Sequence, residues 1–184
     1  NKERLEAIDN HKRWIDFSHK LGCETMRVNL SGEDNLEKWT ENSVKSLSVL
    51  SNYNKDLNVV VENHGGLSSN GKYLANVMSK VNIDNCGTLP DFGNFCIDGS
   101  PRLCAKWYDI YKGVKELMPY AHAVSAKSYH FDDNGDETSI DYSKMIDIVK
   151  NAGYKGYIGI EFEGNRMSED EGIIATKKLL EKLI

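Results

Sequence analysis

Apolar positions along this chain alternate between two rhythms, one of helical period and one of short buried runs. Leu5, Ile8, Trp14, Ile15 and Leu21 recur at near-helical spacing, and Gly22 ends the run. Glu24–Leu30, ETMRVNL, then reads as a strand, with SGEDN behind it as a polar loop. Leu36, Val44, Leu47 and Leu50 mark a second helix. Leu57–Asn63, LNVVVEN, is a second strand closed by Gly65 and Gly66, and a shorter helix follows over Gly71 to Val81. A short third strand lies within Cys86–Phe95, and a helix is expected from about Pro101 to Leu117. His122–Tyr129 forms a fourth strand, the turn-rich DDNGDE leads to a helix over Tyr142 to Ala152, and Gly156–Gly164 makes the fifth strand. A last helix covers Glu169 to Leu183, where Ser168 and Glu171 have the spacing of a capping box.

The pattern is one helix followed by five strand-helix units, which predicts parallel strands with helical crossovers in a single α/β domain over residues 1–184. An open doubly wound sheet and a closed eight-stranded barrel both satisfy it. A nucleotide-binding open sheet would place Gly-x-Gly-x-x-Gly after its first strand, and no such run occurs.

Chemistry gathers at the strand ends. Glu62 closes VVVE, Asp91 closes TLPD, Lys127 closes AVSAK with His130 just beyond, and Glu161 closes YIGIE. They are separated by 29, 36 and 34 residues, about one strand-helix unit each. In a parallel barrel the carboxyl ends of all strands meet at one rim, where active sites are built. Carboxylates crowded there repel unless a cation joins them. Hard oxygen ligands suit Mg or Mn, and a histidine extends the choice to Zn or Co. Two glutamates facing one substrate carbon also suit a proton shuttle beside a carbonyl.

The formal net charge of −5 and the absence of a basic stripe argue against nucleic acid as a partner. No apolar run approaches the ~20 residues that cross a bilayer. The four cysteines, Cys23, Cys86, Cys96 and Cys104, contain no Cys-x-x-Cys pair and read as free thiols, which points to the cytoplasm.

VVVENHGG, GTLPDFGNF, AVSAKSYHFD and AGYKGYIGIEFEG together resemble the xylose isomerase-like barrel family, through nearly the whole chain. That family includes sugar and sugar-phosphate isomerases and epimerases and inosose dehydratases, with an apurinic endonuclease as a distant relation. The resemblance implies a (β/α) TIM-type barrel acting on a small sugar or polyol. It assigns Glu62, Asp91 and Glu161 as ligands of a divalent metal (Mn, Mg, Co or Zn) and Glu62 and Glu161 as the acid-base pair. His64, Asn94, Lys127 and His130 are the expected substrate-binding residues.

Two departures stand out. The family's third ligand is a histidine on the fourth strand, and the matching residue here is Ser125, with Lys127 two positions on and on the same face. Where the family often has Asp-x-x-His, this chain has Asp91-Phe92-Gly93-Asn94. These favour, as an alternative, a non-catalytic sugar-binding barrel, or Lys127 standing in for the cation; an inosose dehydratase-like lyase is the other alternative. Five units also fall short of the eight that close a barrel. The expectation is a carboxyl-terminal portion whose first three units precede Asn1, or whose gap partner protein closes; a homo-oligomer is a separate expectation. An endonuclease role would need more than five histidines and a basic face. His11, His19 and His122 read as surface residues, and Trp107, Tyr108 and Tyr111 as packing residues of a helix.

Overall fold

Three valines in succession are buried on both sides of a sheet here, and the rest of the fold is arranged around them. The computed structural model describes residues 2–100 and 103–184. In chain order the elements are α1 (Lys2–Lys20), β1 (Thr25–Val28), α2 (Leu36–Tyr53), β2 (Asn58–Glu62), α3 (Gly71–Val81), β3 (Cys86–Leu89), β4 (Cys96–Ser100), β5 (Leu103–Trp107), α4 (Ile110–Leu117), β6 (Val124–Ser128), α5 (Tyr142–Asn151), β7 (Ile158–Phe162) and α6 (Glu169–Leu183). Short 3₁₀ turns at Gly66–Ser69 and Met118–Tyr120 link the units.

β1, β2 and β3 pair in parallel, as do β6 and β7. Parallel bridges Thr88–Ala121 and Asp91–Ser125 join the two groups, so the wall runs β1-β2-β3-β6-β7. This is the α/β barrel wall in part, with helices on the outer face. Val59, Val60 and Val61 of β2 are each 0% exposed, as the hydrophobic centre of a parallel sheet covered on both faces requires. α2, α5 and α6 each begin on a side-chain cap, from Asn35, Asp141 and Ser168, and Ser168 with Glu171 forms the anticipated capping box.

Two sequence expectations are corrected. The helix from Pro101 to Leu117 is instead an antiparallel hairpin, β4 with β5, followed by the shorter α4. Pro101 and the neighbouring Arg102 lie outside the described residues. The spacing that suggested a helix across Trp107, Tyr108 and Tyr111 belongs to the end of one strand, the link behind it and the start of the next helix. The cysteines are not all free: Cys96 and Cys104 form a disulfide across the hairpin, while Cys23 is exposed and Cys86 buried. Among the described residues no helix is long and apolar enough to cross a membrane.

The hairpin leads into a tight helix contact. Phe95 is fully buried, and its ring fills the space where Gly113 of α4 lacks a side chain; a Cβ there would lie 2.1 Å from Phe95 Cε1. A Cβ on Gly71 of α3 would lie 2.7 Å from Gly113 Cα, so the two helices cross with glycine against glycine. Gly113→Ala is therefore expected to overpack the crossing and cost about 1–3 kcal/mol. A thermal melt that matches the unsubstituted protein would show that Phe95 has room to move.

Candidate active site

Each strand end brings one side chain inward. Glu62, the last residue of β2, is 1% exposed, and Asp91, two residues past β3, is 0% exposed. Ser125 and Lys127 project from the same face of β6, and Glu161 and Glu163 repeat that spacing on and just after β7. Carboxylate oxygens of Glu62, Asp91 and Glu161 all lie within 4.8 Å of one another. Acids nearly a hundred residues apart in sequence thus share one small volume at the carboxyl rim.

A dense set of donors holds them there. Arg27 of β1 pairs with Glu62 Oε2, and Asn94 Nδ2 donates to Glu62 Oε1 at 3.0 Å. Asp91 Oδ1 accepts the backbone N–H groups of Gly93 and Asn94, both at 2.8 Å. Ser125 Oγ lies 2.7 Å from Asp91 Oδ2 and 3.0 Å from Glu161 Oε2, bridging the two carboxylates. Lys127 Nζ sits 2.7 Å from Glu161 Oε1 and 3.0 Å from Glu163 Oε1. Asn63 joins β2 to the turn after β3: its Nδ2 donates to the carbonyls of Asp91 and Asn94, and its Oδ1 accepts the Asp91 N–H.

Burial governs the protonation of this group. The Asp91 carboxyl is pushed up to about 7 by burial, against the opposing charge of Lys127 and the donors Ser125 and Gly93. For Glu161 burial works upward too, but the Lys127 hydrogen bond and charge, with Ser125, outweigh it and hold the carboxyl below its ordinary value. Burial disfavours the Lys127 ammonium, yet Asp91, Glu161 and Glu163 together raise it above the ordinary lysine value. Lys127 is therefore a fixed cation inside an acidic cluster.

The donor chemistry suits a hard divalent ion. Three carboxylates from three strands converge, and the surrounding four acids, Glu62, Asp91, Glu161 and Glu163, face two cations, Arg27 and Lys127. Ser125 contributes a hydroxyl to this group, between Asp91 and Glu161.

The expected substrate-binding residues separate. Asn94 is buried and engaged with Glu62 and Asp91, so it positions the carboxylates. Lys127 is likewise spent on Glu161 and Glu163. His130 lines an open cavity of about 1240 Å³ beside the cluster, which also reaches Gly93 and Glu163. His64 is exposed in the turn after β2, and among the described residues its imidazole makes no hydrogen bond to the acids. Sequence reasoning missed Asn63 as the tie between β2 and the 91–94 turn, because an asparagine at the end of a strand gives no sign of the distant main chain its amide will meet. It also placed Trp107 in a helix, although Trp107 ends β5, is 48% exposed and lines the cavity. The alternation Glu161-Phe162-Glu163 was the one available signal that Glu163 faces inward with Glu161.

The profile of the xylose isomerase-like TIM barrel matches residues 1–183, and the chain belongs to that family. Among characterised proteins it is 33% identical over 54 residues to the C-glycoside deglycosidase alpha subunit of Arthrobacter globiformis, covering 29% of this chain and 15% of that one. Among solved structures, 3-keto-D-glucoside 4-epimerase YcjR from E. coli superposes with a TM-score of 0.75 at 11% identity, over 98% of this chain and 72% of that one. The IOLI protein with a binding zinc atom superposes with a TM-score of 0.74 at 17% identity, over 100% of this chain and 70% of that one. The matched region is thus a small part of the characterised relative and about seven tenths of these two structures. The structural likenesses, at such identities, speak for the fold.

Proposed function

We propose that this protein is a sugar isomerase or epimerase that moves a proton at the carbon beside a sugar carbonyl. The observation that carries the reading is the convergence of Glu62, Asp91 and Glu161 from three separate strand ends onto one small volume. Glu161, kept ionised by Lys127 and Ser125, is the group suited to take the proton. Glu62, oriented by Arg27 and Asn94, is the second acid-base group. Asp91 lies against both glutamates and is fixed by the 93–94 backbone. Glu62, Asp91 and Glu161 would hold a divalent cation, Mn, Mg, Co or Zn, which when bound polarises the carbonyl and stabilises the enediolate. The likeness to a 3-keto-D-glucoside epimerase and to a zinc-bound relative supports a keto-sugar substrate and a metal.

The test is deuterium uptake. Ketohexoses, 3-keto-glucosides and inososes are incubated with the protein in heavy water, with added Mn or Mg and with EDTA. Deuterium is expected at the carbon beside the carbonyl of at least one of them, and EDTA is expected to suppress it. A second reading, a sugar-binding barrel without a cation, is favoured by Ser125 and by Lys127 bridging Glu161 and Glu163. Metal-free protein that binds sugars without exchange would select it.

A further inference from the structure

Beside the carboxylate cluster lies more room than one sugar ring needs. The cavity that contains His130 and Glu163 measures about 1240 Å³, above the ~300–1,000 Å³ usual for drug-sized ligands. It is open to solvent and adjoins the site at two points. Gly93 follows Asp91 by two residues, and Glu163 shares Lys127 with Glu161. A monosaccharide reacting at the acids would leave most of this trough to water.

The lining is mixed. Trp107, Tyr129 and Phe162 supply aromatic surface, and His130, Ser139 and Asn165 supply polar groups. Trp107 stands at the end of a hairpin cross-linked by Cys96–Cys104, so a large apolar side chain is held half-exposed on a braced element. Tyr129 and Phe162 leave no space beneath them for other side chains: a Cβ on Gly93 would lie 2.4 Å from the Tyr129 hydroxyl, and one on Gly164 would lie 2.4 Å from Phe162 Cζ. Buried His130 Nδ1 has no hydrogen-bond partner, an uncompensated polar atom in a residue of this wall.

From these observations we infer that the trough is a subsite for a planar aglycone, and that the natural substrate is an aryl-type glycoside of the reacting keto-sugar. The inference rests on the sugar-directed reading of the carboxylate site and extends it to what the sugar carries. The sugar ring meets the acids, and the attached ring lies in the trough against Trp107. Face-on or offset contact with an aromatic side chain discriminates planar rings from alkyl groups.

Binding of two unreactive glycosides tests this without any catalytic step. Methyl β-D-glucopyranoside and phenyl β-D-glucopyranoside are titrated against the protein by calorimetry. The phenyl glycoside is expected to bind about tenfold more tightly. Trp107→Ala is expected to bring the two affinities together, and Trp107→Phe to keep most of the difference. Trp107 is half-exposed, and circular dichroism of each variant checks the fold. Equal affinities in the unsubstituted protein would overturn the subsite, as would no binding of either compound. A phenyl preference that survives Trp107→Ala would place the aglycone elsewhere and overturn it too. Failure of the proton-transfer reading shows separately, as phenyl preference without deuterium uptake into any keto-sugar; uptake without the preference sinks only the subsite.

Discussion

Replacing Glu161 by Gln lowers deuterium uptake into a responsive keto-sugar by about 10²–10⁴-fold, the range general acid-base catalysis contributes. The reason lies in how differently the site treats its carboxyls. Asp91 is driven toward its neutral form by burial, whereas Glu161 is held charged by Lys127 and Ser125. Glutamine keeps the size of the side chain and an oxygen for Lys127, so the cluster stays assembled while the proton acceptor is lost. Glu62→Gln is expected to fall in the same range, with the pairing to Arg27 lost as well. Exchange at undiminished rates in both variants would remove the two glutamates from the reaction.

Lys127→Met is expected to lower the melting temperature by about 4–8 °C at neutral pH, from a loss of about 2 kcal/mol. Lys127 is 1% exposed and its removal leaves Asp91, Glu161 and Glu163 facing one another. Breaking a fully buried ion pair costs about 3–5 kcal/mol. The smaller figure applies because Glu161 and Glu163 are 40% and 47% exposed and water takes up part of their charge. Asp91 has no such relief, and its carboxyl moves further upward once the Lys127 charge is gone. Millimolar Mg or Mn should stabilise the variant more than the unsubstituted protein, since a diffusible cation then meets a larger negative charge. A melting temperature unchanged in the variant would show that Lys127 does not balance the cluster.

Much of this architecture is written in local chemistry. The triple valine of β2 ending on Glu62 specifies a buried parallel strand with an acid at its rim, and it is found so. The spacing of Asp91, Lys127 and Glu161 by one unit each sets them at neighbouring strand ends, and their convergence follows from sheet geometry. The hairpin was not legible, because no core face fixes it: β5 alternates Leu103, Ala105 and Trp107, but all three are exposed, and the stretch is too short for that spacing to be told from a helical one. The Cys96–Cys104 bond was hidden for the same reason, since it is the hairpin pairing that brings two cysteines eight residues apart face to face. The pairing of Lys127 with the acids was legible as one of two alternatives, and that of Asn94 was not, because a polar residue near a rim can point to a ligand or to a neighbouring acid. Only the packed structure shows both turned to the acids.

Asn63 welds Glu62 and Asp91 into one body, whereas Glu161 rides on the separate β6–β7 pair. Between the two bodies run the main-chain bonds of His122 to Thr88, Ser125 to Pro90 and Phe92 to Ser125. The aperture between the acids is therefore governed by that seam, and a slight spreading of it would slacken the grip on whatever the three carboxylates enclose.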